Sequence, residues 1–294
     1  MPELPEVETI RIGLQKKIIG LTIKDIEVLS PRSFKSVSSQ ASLIGDSKNL
    51  QGKKVLNIRR FSKLLVVDLS SSISLTIHLK MTGQLIYDDG KRFIGGHPTP
   101  DMKMEMPNSS TRIIVNFSDK SKLYFNDQRR FGYIKVIETK KVEQEKYVES
   151  LGPEPLEKGF TWEVLKTNLL RHKSMPIKVA LMDQTIVSGV GNIYANEACF
   201  NAKLDPRIKV GDLDDKGFQK LHKGVIRVIK NGIKYGGSSK AHFVDPDGHK
   251  GYFLDYAYVY FRDKHPCKIC KTEIKKLQLG GRGTYLCPSC QKSA

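Results

Sequence analysis

At Leu151-Gly152-Pro153-Glu154-Pro155 the hydrophobic period of the chain changes, and no other feature limits its folding as strongly. Two prolines and a glycine in five residues make a stiff, extended connection that neither a helix nor a sheet interior accepts. Before this point the apolar residues come in strand-like blocks: Leu64 to Leu69, Ile73 to Leu79, Arg112 to Phe117 and Tyr133 to Ile137. After it the spacing is helical, over Thr161 to Arg171, Ile177 to Asp183, Asn192 to Phe200 and Asp212 to Tyr235. The front of the chain is an exception. Val7, Ile10, Leu14 and Ile18 recur at helical spacing behind Pro5, with Glu6 and Glu8 early, Lys16 and Lys17 late, and Gly20 as a stop. The expectation is an α+β protein with a β-rich domain over 1–145 led by a helix, a helical domain over 151–240 and a small module over 255–294. Asp88 to Ser110, rich in Gly, Pro and charge, predicts an exposed loop; the stretch after Gly236-Gly237-Ser238-Ser239 to Gly251 predicts a mobile one.

The terminal module carries four of the five cysteines. Cys267-x2-Cys270 is followed, after sixteen residues, by Cys287-x2-Cys290. Each Cys-x-x-Cys turn aims two sulfurs at one point, and two such turns joined by a β-hairpin close a tetrahedron around zinc. Four thiolates leave no open position, so the one ion expected per chain folds the module and does no chemistry. Leu279-Gly280-Gly281-Arg282-Gly283-Thr284 forms the hairpin tip, where Arg282 offers a planar fork for phosphate.

Charge narrows the partner. The 294 residues hold 49 Lys and Arg against 31 Asp and Glu, a net charge of +18. Such an excess suits a polyanion, because each neutralised phosphate releases counterions. No segment has the length to span a bilayer, and the amino-terminal residues lack the basic and apolar regions of a signal peptide. Cysteines clustered as metal ligands fit a reducing, cytoplasmic location, and no membrane association is expected. Cys199 stands apart and reads as a buried apolar residue.

The start of the chain offers a catalyst. Removal of Met1 leaves Pro2 with a free secondary amine. An α-amino group titrates at about 7.7–8.0 against about 10.4 for Lys, so roughly a tenth is unprotonated at neutral pH. Attack of a secondary amine on a sugar C1′ yields a permanently cationic iminium, an electron sink able to expel a base and then break the backbone by elimination. Glu3, beside the amine, is placed to shuttle protons.

Several segments in order resemble the bacterial formamidopyrimidine-DNA glycosylase family. They are Pro2-Glu3-Leu4-Pro5-Glu6-Val7-Glu8, His78-Leu79-Lys80-Met81-Thr82-Gly83, Asp127-Gln128-Arg129-Arg130-Phe131-Gly132, Leu151 to Pro155, Gly189-Val190-Gly191-Asn192-Ile193-Tyr194, and Gly281-Arg282-Gly283-Thr284-Tyr285 with the last cysteine pair and Gln291. They run from residue 2 to 291, nearly the whole chain.

This resemblance implies an amino-terminal β-sandwich with flanking helices, a helix–two-turns–helix domain and a zinc β-hairpin. It also implies excision of 8-oxoguanine and formamidopyrimidines from double-stranded DNA, preferably opposite cytosine, with strand nicking by β,δ-elimination. A monomer is expected. By the same resemblance the catalytic residues are Pro2 as the Schiff-base nucleophile, Glu3 as the general acid and base, Lys63 as the lysine assisting near the lesion and at β-elimination, and Arg282 as the hairpin arginine that grips the flanking phosphates and is implicated in δ-elimination; Glu6 is an assisting carboxylate. Excision inside a duplex requires flipping the damaged nucleotide out. Met81, Arg129 and Phe131 resemble the three side chains that fill the gap, with Arg129 on the orphaned cytosine. Asn192, at a helix start, resembles a phosphate ligand, and Lys173 a further DNA-contacting lysine. The loop from Ser238 to Gly251 corresponds to one that covers the flipped base.

The chain departs from the family pattern in places. Lys80 stands where glycine is common and Gln128 where proline is common, and Asn108-Ser109-Ser110-Thr111 lacks the usual DNA-contacting histidine. Two other functions compete. The sister endonuclease VIII group attacks oxidised pyrimidines with the same terminus, and a zinc-ribbon nucleic-acid binder would have no catalysis at all. Leu4 and the Arg129-Arg130-Phe131 run favour the purine branch.

Overall fold

The computed structural model describes residues 1–36, 48–97, 99–238 and 252–292, so the predicted cover loop beyond Ser238 lies outside the described residues. By contact the chain divides into two compact units. One holds residues 1–149, the other residues 150–238 and 252–292.

In the first unit the predicted leading helix, α1, spans Leu4–Ile18. The strands that follow are β1 (Ile23–Val28), β2 (Phe34–Ser36), β3 (Val55–Phe61), β4 (Leu64–Leu69), β5 (Ile73–His78), β6 (Gly83–Asp88), β7 (Arg92–Gly96), β8 (Thr111–Phe117), β9 (Lys122–Asp127) and β10 (Tyr133–Glu138), with a short α2 at Lys146–Glu149. They form two five-stranded sheets, ordered β1-β8-β9-β6-β7 and β2-β10-β5-β4-β3. Every pairing is antiparallel except that of β10 with β2.

Both sheets and α1 contribute to one apolar core: Val7, Ile10 and Leu14 of α1, Leu65 and Val67 of β4, Ile77 of β5, Leu85 of β6, and Ile113 and Phe125 from the other sheet. The expected sandwich follows from this sharing, since each sheet covers the other's apolar face. β4 is apolar almost throughout because it is covered twice. Leu65 and Val67 face the core, while Val66 packs with Ile137, Val142 and Phe61 on the opposite side.

The prediction of an exposed loop from Asp88 to Ser110 was wrong. β7 pairs with β6 through Ile86↔Ile94 and Tyr87↔Phe93, and Phe93 is buried in the core. Ile94 and Met106 pack on Ile86, Ile114 and Tyr124, so the segment covers the outer face of its sheet. A strand of five residues flanked by Gly and charge leaves too short an apolar run to be read from spacing alone. β3 was missed for a related reason. A register shift between Val55 and Asn57 breaks its alternation.

The second unit contains α3 (Trp162–Leu169), α4 (Ile177–Ala180), α5 (Asn192–Ala202), α6 (Asp215–Lys234) and α7 (Phe253–Tyr256), then the hairpin strands β11 (Lys275–Leu279) and β12 (Arg282–Leu286). α6 starts where Asp214 accepts a hydrogen bond from Gly217 N at 2.7 Å. It buries Phe218, Leu221, Val225, Val228 and Ile229 at helical spacing. Phe200 of α5, Val259, Ile274, Tyr285, Cys267 and Cys287 form a separate small core that seats the hairpin on the end of α5.

Candidate active site

Pro2 is buried immediately ahead of α1, whose Pro5 suits the first turn. Glu3 is the N-cap, and Glu6 accepts a hydrogen bond from Glu3 N at 2.9 Å within a capping box. Both carboxylates are only 4 % exposed. Two buried carboxylates at the positive end of a helix have a local electrostatic reason to be there.

Lys63 arrives from the turn between β3 and β4. A lysine ahead of a buried strand would ordinarily be a solvated edge charge. This one is 3 % exposed. Burial brings its ammonium down from the usual 10.5 to about 8, although the negative charges of Glu3 and Glu6 resist that fall. The fold therefore brings the buried Lys63 within electrostatic reach of Glu3 and Glu6, which follow Pro2 in the chain. The Lys63 turn is held by Arg60, which donates to Ser62 O and to Glu8 Oε2, both at 2.9 Å. Glu8 also receives both forks of Arg11, at 3.0 and 2.7 Å. Burial pushes Glu8 up, but Arg11 and Arg60 outweigh it and hold the carboxyl below its usual range.

His78 and Tyr147 belong to the same neighbourhood and were given no role from sequence. His78 is 3 % exposed, and burial, aided by the charges of Lys80 and Lys63, pushes its imidazole down to about 3. Its Nδ1 accepts from Lys80 N at 3.0 Å, which places the proton of the neutral ring on Nε2. Tyr147 meets the His78 ring edge-on at 5.2 Å. The signal for His78 was its place at the end of an apolar strand, where a polar residue has to be satisfied.

Lys63 has a measurable consequence. Its unfolded ammonium titrates near 10.5 and its folded one near 8. The unfolded chain therefore binds more protons between these values, and stability rises with pH across that window. Below it, at about 1.4 kcal/mol per pH unit, the buried charge costs the folded state on the order of 3 kcal/mol. Lys63→Met is expected to stabilise the first unit at pH 7 and to flatten the rise between pH 8 and 10, as measured by urea unfolding. Equal pH slopes for the two proteins would contradict the burial argument.

Met81, Arg129 and Phe131 sit on two turns of the same unit. Met81 is half-buried. Phe131 is 57 % exposed, and the Arg129 guanidinium lies 5.1 Å from its ring centroid. An Arg over an exposed Phe ring at this distance is a cation–π pair open to solvent. Gln128, one of the unusual residues, donates to Asp101 Oδ1 at 2.7 Å and so ties this turn to the segment that was expected to be a loop.

In the second unit Asn192 stands at the first position of α5, after Gly191. Its Nδ2 donates to Gly283 O at 3.1 Å. Asn196, one turn on, accepts from Tyr285 N at 2.7 Å. The helix start and the strand bearing Arg282 are thus brought together. Gly280 and Gly281 have φ of +55° and +70°, the two-residue turn a tight hairpin needs, and Leu279 pairs with Arg282 across it. Arg282 is exposed at the tip. Lys173 is exposed as well, on a separate turn whose carbonyl accepts from Gly211 N. A buried carboxylate that the sequence reading passed over, Glu197, accepts the N–H groups of Tyr258, Val259 and Tyr260, each at 2.9 Å, and anchors the chain entering the module.

The four sulfurs of Cys267, Cys270, Cys287 and Cys290 lie within 4.8 Å of one another. Cys267 and Cys290 are 3.9 Å apart, Cys270 and Cys287 3.4 Å. Bonds of about 2.3 Å in a tetrahedron demand sulfurs about 3.8 Å apart, so the donors fit one zinc ion. Gln291 accepts from Cys287 N at 2.8 Å and donates to Leu204 O at 2.9 Å, pinning the second cysteine turn to the end of α5.

Three family models cover this chain. Formamidopyrimidine-DNA glycosylase N-terminal domain matches residues 1–134, formamidopyrimidine-DNA glycosylase H2TH domain residues 151–244, and the zinc finger found in FPG and IleRS residues 264–292. The formamidopyrimidine-DNA glycosylase of Pelotomaculum thermopropionicum is 37% identical over 292 residues, covering 99% of both chains. That of Listeria monocytogenes is 34% identical, covering 99% of this chain and 100% of its own. Among solved structures, Lactococcus lactis Fpg in complex with DNA containing an abasic site superposes with a TM-score of 0.84 at 30% identity, covering 99% of each chain. The Fpg protein of Thermus thermophilus gives 0.82 at 30% identity, covering 100% of each.

Proposed function

Since the chain belongs to the formamidopyrimidine-DNA glycosylase family, we propose that Pro2, freed of Met1, captures the damaged sugar while Glu3 and Lys63 handle its protons. The chain is a base-excision repair DNA glycosylase with a second, AP lyase activity, and its zinc finger holds one structural ion. Its partner is damaged DNA. Among the described residues no helix is long and apolar enough to cross a membrane.

In the proposed reaction the Pro2 nitrogen bonds to C1′ as the bond from C1′ to the base breaks, and the base departs with a proton. Glu3 then protonates the ring oxygen as the sugar opens, leaving a cationic iminium at C1′. Loss of a C2′ proton sends electrons into that sink, and the 3′ phosphate leaves; loss of the C4′ proton from the unsaturated iminium then drives a second elimination that expels the 5′ phosphate. The observation that carries this reading is that Glu3 and Glu6, buried and close behind Pro2 in the chain, act electrostatically on a buried Lys63 whose ammonium is brought down to about 8. A lysine titrating near the working pH can accept and return protons, as an ordinary ammonium cannot. Zinc supplies no chemistry here. Held by four thiolates, it fixes the hairpin that carries Arg282.

The substrates are 8-oxoguanine and formamidopyrimidines, preferentially opposite cytosine, acted on by a cytoplasmic monomer. Arg282 and Asn192 hold phosphates beside the lesion, Lys173 adds a contact further along, and Met81, Arg129 and Phe131 fill the gap left by the flipped nucleotide. The test is to incubate the processed protein with a duplex containing 8-oxoguanine opposite cytosine and to trap with borohydride. A covalent adduct mapping to Pro2 is expected. Faster trapping on an oxidised pyrimidine would move the chain to the endonuclease VIII reading.

A further inference from the structure

The two turns that present Met81 on one side and Arg129 with Phe131 on the other share a single buried anchor. Asp127, at the end of β9, is 0 % exposed. Its Oδ1 accepts from the hydroxyl of Thr82, the residue after Met81, and from Arg129 N at 3.1 Å. Its Oδ2 accepts from Gly132 N at 2.7 Å. The Thr82 hydroxyl also accepts from Arg129 N at 3.1 Å. One carboxylate therefore closes the 127–132 turn upon itself and ties it to the neighbouring turn.

The surroundings leave little slack. A Cβ at Gly132 would meet the Phe125 ring at 2.8 Å, His78 O at 3.0 Å and Asp127 Oδ2 at 3.1 Å. Arg130 is in the left-handed region at φ +56°, a conformation a non-glycine residue keeps only when its neighbours hold it. The Asp127 carbonyl accepts from Arg112 Nε at 2.8 Å, and Asp127 N donates to Ser110 O at 2.9 Å. On the far side, Gln128 reaches Asp101.

We propose that Asp127, with Thr82, is a positioning clamp that makes Met81, Arg129 and Phe131 enter the duplex as one rigid unit. This rests on the reading that these three side chains fill the flipped nucleotide's place. The physical reason is entropic as well as geometric. Three fillers on two independent turns would each have to be ordered at the moment of flipping, whereas a preformed unit meets the orphaned base already in register. Rigidity also sharpens the choice of opposite base, because an Arg129 that could shift would tolerate the wrong partner.

The experiment compares the clamp variants Thr82→Val and Asp127→Asn, and the filler variants Met81→Ala, Arg129→Ala and Phe131→Ala, with the wild type on two substrates. One is the duplex with 8-oxoguanine opposite each of the four bases, under single-turnover conditions. The other is a single strand with an abasic site, trapped by borohydride, where there is no orphaned base to meet. Thr82→Val keeps the side-chain shape and removes only the hydroxyl. Loss of hydrogen bonds to a buried carboxylate should slow duplex excision about tenfold or more and erode the preference for cytosine. For Thr82→Val and Asp127→Asn, single-strand trapping should stay near the wild-type rate.

If Thr82→Val and Asp127→Asn excise from duplex at full speed while Phe131→Ala is slow, the clamp is refuted and the gap-filling reading stands. If Phe131→Ala, Met81→Ala and Arg129→Ala are all as fast as wild type, the gap-filling reading fails and the clamp with it. Equal slowing on both substrates by both clamp variants would show a merely structural role, which also overturns the proposal.

Discussion

Pro2→Gly is expected to lower strand nicking at pH 8 by at least about a hundredfold, the scale of losing a covalent catalyst rather than a binding contact. Glycine still presents an amine once Met1 is removed, but a primary one. Its adduct is an imine that carries positive charge only when protonated, whereas the proline adduct is cationic at every pH. Relative to the wild type, which loses the same free amine to protonation, the residual activity of the variant should therefore gain as the pH falls. Glu3→Gln separates the two halves of the reaction. It should cut base excision by about 10²–10⁴, the range of a lost general acid or base, yet still form the trapped adduct on a strand whose base is already gone. Gel-resolved nicking and borohydride trapping over pH 6–9 measure both. A Pro2→Gly protein that nicks at the wild-type rate and pH profile would exclude the amine, and so would a fully active protein found by intact mass to retain Met1.

Stripping the metal should have an effect of similar size by another route. The module's own core is a handful of side chains around Tyr285, Ile274 and Val259. A core that small cannot hold a hairpin against its conformational entropy, whereas zinc bound by four thiolates contributes about 10–16 kcal/mol at neutral pH. Extraction by a strong chelator is expected to release one zinc per chain, to disorder the strands carrying Arg282, and to weaken duplex binding by about a hundredfold or more. The first unit draws its stability from its own sandwich core and should unfold at the same temperature with or without metal. Cys287→Ser should reproduce the loss of binding. Tight duplex binding by a verified zinc-free protein would show that the hairpin does not grip DNA.

Much of this was legible in the residues. Spacing marked α1 and α6, because a helix with one apolar stripe repeats it often enough to be seen; α5, buried on nearly every side, was read from its helical start after Gly191. The cysteine spacing announced its site because ligand geometry permits few alternatives. β7 and β3 were not legible. One is short and flanked by glycine, and the other has a register shift, so neither shows a clean period of two. The Gly280-Gly281 turn was visible as a tip, but what it packs against was not. Its Gly280 lies close to Val179 of α4, a residue a hundred positions away in the chain.

The difference between the two kinds of knowledge is sharpest at Lys63 and Asp127. From sequence, the chemistry proposed for this chain rests on residue types and short-range order: an imino acid behind Met1, a carboxylate beside it, thiolates in pairs. Those are local properties, carried by covalent neighbours. Whether Lys63 is a solvated edge charge or a buried proton carrier depends on what stands around it in space, and only the folded chain places it against Glu3 and Glu6, sixty positions away, where desolvation lowers its affinity for protons. Asp127 is an unremarked motif residue until folding brings Thr82 and Gly132 to its two oxygens. Desolvation and hydrogen bonding act through space, so the chain had to fold before either environment existed.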